Sequence, residues 1–238
     1  MEEGLEAPAR PPDEIIKHWL LNLAIEFPVP LTTLFPGLVK QRFNARPVPN
    51  CSVEDYARNL LGLFDSGMIV FFSELPQDDT TTRPGASRIL DRFLSLPRGY
   101  KHEPFNRLSP MMRVHFSLTA LGGESWERVA EPDWARFFLE RSDYLVADFL
   151  SSNREFLVAY MGWYSDLNDA RILTETVNWK THSDFEILYW KRLPLVHHAF
   201  CRVEVKEPPT TPQWLRDWYF SAISWHKHPW ETPGWPKD

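Results

Sequence analysis

The sequence predicts an α+β protein. Apolar residues recur at helical spacing through the first half, as in Ile15, Ile16, Trp19, Leu20 and Leu23. Alternation replaces that spacing later, where Ala199, Cys201, Val203 and Val205 interleave with Phe200, Arg202, Glu204 and Lys206. The 21 prolines and 11 tryptophans among 238 residues imply many short elements joined by rigid turns and packed with large rings. That composition suits an irregular α+β chain better than a helical bundle.

Residues 1–12 are acidic, then Ala/Pro-rich, and are expected to form a disordered tail. Asp13 is placed as the N-cap of a first helix, which Pro28 and Pro30 end. Leu31 to Phe35 fits one or two helical turns before Pro36-Gly37, and a polar loop bearing Pro47 and Pro49 follows. Ser52 caps a second helix, with Asp55 completing a near capping box. Tyr56, Leu60, Leu61 and Phe64 form its inner face, Gly67 stops it, and Met68 to Ser73 is a strand.

After a polar loop, Pro84 opens a helix with Ile89, Leu90, Phe93 and Leu94 on one face, ending at Pro97-Arg98-Gly99. Val114 to Leu118 is a second strand. Thr119 precedes a helix through Trp126 that ends near Pro132, and Trp134, Phe137 and Phe138 continue an apolar helical face. Phe156 to Tyr164 is apolar on both sides, the signature of a central strand. Phe185 to Trp190 is another strand, and Pro208-Pro209 stops the alternating one. Thr211 and Pro212 start a last helix with Trp214, Leu215, Trp218, Tyr219 and Ala222 facing inward.

These elements divide the chain at about residue 140. Residues 13–140 form one part, with an insert over 75–112. Residues 141–238 form a mixed, mainly antiparallel β part closed by a C-terminal helix. The N-terminus lacks a basic and apolar leader, and the longest wholly apolar run, Met68 to Phe72, is far too short for a membrane span. A cytoplasmic, membrane-free monomer or homodimer is the expectation. Cys51 and Cys201 match no zinc or redox spacing and are expected to be free thiols.

The chain carries a net charge of −6, which argues against nucleic acid as its main partner. The exception is 83–113. There Arg83, Arg88, Arg92, Arg98, Lys101, Arg107 and Arg113 face only Asp91 and Glu103, a local excess of positive charge. Such a stretch suits phosphates or an acidic protein partner. Glu204-Val205-Lys206 with Asp184 is reminiscent of a nuclease metal site, but Glu204 and Lys206 fall on the polar face of an alternating strand. His197 and His198, adjacent on a strand, point to opposite faces. His226 and His228 lie in a Pro-rich tail, so neither pair is expected to hold a metal. No phosphate loop, nucleophile elbow or His-Glu-x-x-His is present. Trp225, Trp230 and Trp235 lack periodicity and either clamp onto the domain or form an aromatic hot spot.

Asn59-Leu60-Leu61-Gly62-Leu63-Phe64-Asp65-Ser66-Gly67, the strand after it, and Leu118-Thr119-Ala120-Leu121-Gly122 together resemble winged-helix proteins of the MarR/PadR type. The resemblance covers about residues 13–140. It implies a helix at 53–65 that would enter the major groove and a wing between the two strands. The chain departs from the pattern in two ways. The wing is far longer than usual, and the 53–65 helix presents Glu54, Asp55 and Asp65 against Arg58 rather than base-reading side chains. Leu118 to Glu127 with Pro132 and Trp134, and Tyr189 to Pro194, also resemble small bacterial immunity proteins of toxin systems.

The functional expectation is a non-catalytic protein-binding protein of the immunity or adaptor kind, with no cofactor. The candidate contact residues are Arg83, Arg88, Arg92, Arg98, Lys101, Arg107, Trp230 and Trp235. A DNA-binding regulator using the basic insert, and an enzyme with a dispersed site, are the alternatives.

Overall fold

The computed structural model describes residues 12–34, 49, 51–75, 78–95, 113–142, 145–207 and 210–228. The 1–11 tail, the turn at Pro36-Gly37, the stretch 96–112, Pro208-Pro209 and the chain after His228 lie outside them, as do the side chains of Ala222 and Ile223. The fold is α+β, with antiparallel pairing throughout the described strands. It divides into two compact units, Met1–Ala130 with His228–Asp238, and Glu131–Lys227.

The first unit runs α1 (Asp13–Leu23), β1 (Val29–Pro30), a 3-10 turn (Leu31–Leu34), α2 (Val53–Asp65), β2 (Ile69–Ser73), α3 (Arg83–Leu94), β3 (Val114–Leu118) and α4 (Ala120–Ala130). Its sheet is ordered β1-β3-β2, with Phe116 of β3 opposite both Val29 and Phe71. Asp13 is the first residue of α1 rather than its cap: Pro12 occupies that position, and Asp13 and Glu14 complement the helix dipole.

At α2 the capping box is complete. Ser52 Oγ accepts the Asp55 amide at 3.1 Å, and the Ser52 amide donates to Asp55 Oδ2 at 2.9 Å. Trp19 of α1 stacks on Tyr56 at 5.3 Å. The inner face is rotated from the expected one: Leu63 is buried, whereas Leu61 and Phe64 are half-buried. Gly67 takes φ +71°, a conformation that suits glycine, and turns the chain into β2. Thr82 caps α3 by accepting the Gly85 amide, and Thr119 does the same for Gly122 in α4.

The second unit runs β4 (Phe138–Ser142), β5 (Val146–Ser151), α5 (Arg154–Leu167), β6 (Ala170–Ile172), β7 (Asn178–Leu188), β8 (Lys191–Val205) and α6 (Gln213–Ile223). The long β8 is central, pairing with β5, β6 and β7. Phe138, Ala147, Phe149, Ala199 and Cys201 of the sheet pack against Leu157, Tyr160 and Tyr164 of α5. α6 packs on α5 through Phe156–Trp218 at 5.6 Å and Tyr160–Tyr219 at 5.7 Å.

Three expectations are corrected here. Residues 156–164 lie in helix α5, not in a central strand. Asn153 caps that helix by accepting the Phe156 amide at 3.0 Å, and its buried Leu157, Tyr160 and Tyr164 recur at helical spacing. Trp134 to Phe138 does not extend a helix: Trp134–Arg136 is a 3-10 turn, and Phe138 opens β4 opposite Ser151. Trp214 is 57 % exposed, whereas its neighbour Leu215 is buried. Trp225 is buried against Phe137 and Trp134, at 5.2 and 5.0 Å, and so clamps the end of the second unit.

Candidate functional site

Arg83, Arg88 and Arg92 lie on α3; Arg98, Lys101, Arg107, Trp230 and Trp235 fall outside the described residues. Arg83 Nε sits 3.0 Å from both carboxylate oxygens of Asp65, the last residue of α2. Arg92 holds Asp78 in a two-pronged contact at 2.9 and 2.7 Å. Its hydrogen bonds, helped by Ser73, keep the Asp78 carboxyl below the usual carboxylate range. Arg113 lies 3.8 Å from Glu74, and Arg88 is exposed. The charges of Arg83 and Arg92 are therefore matched within the unit, and α3 packs on α2.

The other sequence candidates do not converge. Asp184 pairs with Arg192 at 3.0 Å, Glu204 with Arg171, and the Lys206 ammonium donates to the Ser165 carbonyl. His198 meets Asp148 on one sheet face, while His197 lies 3.3 Å from the Thr181 hydroxyl on the other. Cys51 and Cys201 form no disulfide, and burial pushes the Cys201 thiol up to about 11. Among the described residues no cluster of three or more His, Cys, Asp or Glu could hold a metal ion, and no helix is long and apolar enough to cross a membrane.

What sequence reasoning missed is the outer face of α5. Its inner face rests on the sheet. The opposite stripe, Val158, Ala159, Gly162 and Trp163, is exposed and uncharged, bounded by Glu155 and Asp166 at its two ends. Val158 is 47 % and Trp163 41 % exposed. Trp214 of α6 extends the stripe, meeting Trp163 edge-on at 5.5 Å. An apolar stripe on a helix is normally buried, and here it is open. Gly162 adds to this. A Cβ at Gly162 would meet nothing within 4 Å, so no packing inside the unit calls for glycine. Mid-helix glycine nonetheless costs about 1 kcal/mol relative to alanine. The signal in the sequence was the same double-sided apolarity that suggested a central strand.

One buried titratable group also stands out. His18 of α1 is 6 % exposed, and burial lowers its pKa from 6.5 to about 4. The folded chain resists protonation there while the unfolded chain does not. Its contribution is complete above pH 6.5 and is lost as the pH falls toward 4, by about 3 kcal/mol. Urea unfolding at pH 7 and 4.5 should show His18→Phe losing less stability than wild type. Equal losses would mean that His18 is hydrated in the fold.

No protein-family model matches the chain, and no curated protein or solved structure does either.

Proposed function

We propose that the protein is a non-catalytic protein-binding protein, of the immunity or adaptor kind, whose contact surface is the outer face of α5 with Trp214. The observation that carries this reading is the uncharged stripe Val158-Ala159-Gly162-Trp163, left open on a helix whose other side is buried through Leu157, Tyr160 and Tyr164. Exposed aromatic anchors beside small residues are what a close-packed partner surface requires. Gly162 fits the same reading, since its missing side chain lets a partner backbone approach.

The test is affinity capture from native lysate, with and without nuclease, using wild type and Val158→Asp. One stoichiometric protein should survive nuclease with wild type and be lost with the variant, because a buried unpaired carboxylate costs several kcal/mol. Gly162→Ala should weaken capture while raising thermal stability slightly. Capture that Val158→Asp leaves intact would refute the reading. Self-association seen by sedimentation would make the partner a second copy.

A second reading has its own support. The order helix, short strand, helix, strand, helix, strand, with a sheet ordered β1-β3-β2, suits a winged helix in the first unit if α3 is taken as an insert in the wing. In that arrangement α2 would be the groove-reading helix. Its exposed or half-exposed positions include Glu54, Arg58, Leu61, Gly62 and Asp65, and Arg58 is paired with Asp55 at 2.8 Å. We therefore place protein binding ahead of DNA binding. Nucleic acid captured without nuclease, and nothing after it, would reverse that order.

A further inference from the structure

α1, α2 and α4 leave between them a crevice of about 500 Å³, within the size range of small-molecule sites. Its wall is mainly apolar: Ile15 and Leu21 from α1, Leu63 from α2, Met68 ahead of β2 and Val129 from α4. His18 stands in that wall, and its Nε2 is buried without a hydrogen-bond partner. A buried nitrogen left unpaired costs about 1–3 kcal/mol. Of the other polar side chains at the crevice, Lys17 donates to Glu14 at 2.7 Å and Ser66 to the Leu63 carbonyl at 2.9 Å, and Ser125 of α4 adds a hydroxyl to the wall. A water would want about 2–4 polar partners, and this wall is mostly carbon. Gly62 also lines the crevice, and a Cβ there would meet nothing within 4 Å. α2 thus carries no side chain at a point where one would occupy the space.

We propose that the first unit binds a small uncharged molecule in this crevice, an apolar body bearing one hydroxyl that hydrogen-bonds to His18 Nε2. A hydroxyl both donates and accepts, so it matches either tautomer of a neutral imidazole. The ring stays neutral under physiological conditions because burial lowers its pKa to about 4, so a charged ligand gains no ion pair from it. The site belongs to the first unit and is independent of the α5 face.

The experiment uses the full chain with cyclohexanol and methylcyclohexane as probes, read by saturation-transfer NMR and by the imidazole resonances of His18. Cyclohexanol should bind saturably, shift the His18 nitrogens, and outbind methylcyclohexane by about tenfold, the worth of one hydrogen bond. His18→Phe should abolish that preference. Gly62→Phe should abolish binding of both probes and leave the melting temperature at or above that of wild type. No saturable cyclohexanol binding, binding that survives Gly62→Phe, or His18 resonances that stay fixed at saturation would each overturn the proposal. Should His18→Phe fail to fold, the Gly62→Phe result and the resonance shift decide the matter by themselves.

Discussion

Gly122→Ala is expected to destabilise the first unit by more than about 3 kcal/mol. An alanine Cβ there would stand 1.9 Å from the Met68 carbonyl oxygen and 2.9 Å from its carbon. Both atoms are backbone, and the same oxygen accepts the Thr119 amide at 3.0 Å, so no rotamer change relieves the clash. At roughly 4 °C per kcal/mol for a unit of this size, the melting temperature of that unit should fall by more than about 10 °C. Gly62→Ala on α2 is the matched control. It meets open space and should stabilise by about 0.5–1 kcal/mol. Opposite signs at two helical glycines would locate the effect in the approach of α4 to Met68. A Gly122→Ala protein that melts like wild type would show that α4 is not seated there.

Trp126→Ala should cost the same unit about 3–5 kcal/mol in urea unfolding. Trp126 is fully buried, and its Nε1 donates to Asn22 Oδ1 of α1 at 3.1 Å, across 104 positions of sequence. The loss combines a large cavity with an orphaned amide. Trp126→Phe isolates the second term, since it keeps most of the ring volume and leaves the Asn22 acceptor unpaired, at about 1–3 kcal/mol. Adding Asn22→Leu to Trp126→Phe should recover part of that loss. Strict additivity of the two substitutions would mean that the hydrogen bond contributes nothing to stability.

The comparison of sequence with structure is sharpest at α5. Its apolarity on both sides was legible, but its meaning was not. A run without charge fits a strand buried on two faces as well as a helix with one face turned outward. Asn153 was a local cue to the helix, since it accepts the Phe156 amide. The basic insert shows the converse. The charges of Arg83 and Arg92 were plain in the sequence, but their partners Asp65 and Asp78 lie 18 and 14 positions away. Counting charge along a chain overlooks pairing of that kind. Trp214 was misplaced because helical spacing identifies a face without saying which neighbour covers it, and Leu215 takes the core position instead.

By itself the sequence determined the α+β class, the capping box of Ser52 and Asp55, the turn at Gly67, the junction at Thr119 and the strand Val114–Leu118. Each rests on chemistry spanning a few residues: a side chain within reach of an amide, a glycine allowed a positive φ, a run alternating between two faces. Tertiary structure alone decided which apolar face stayed open, which arginines were matched, and that His18 lines a crevice with its Nε2 unpaired. Those outcomes depend on contacts between segments far apart in the chain. Burial and desolvation belong to the assembled fold, and no stretch of sequence carries them locally.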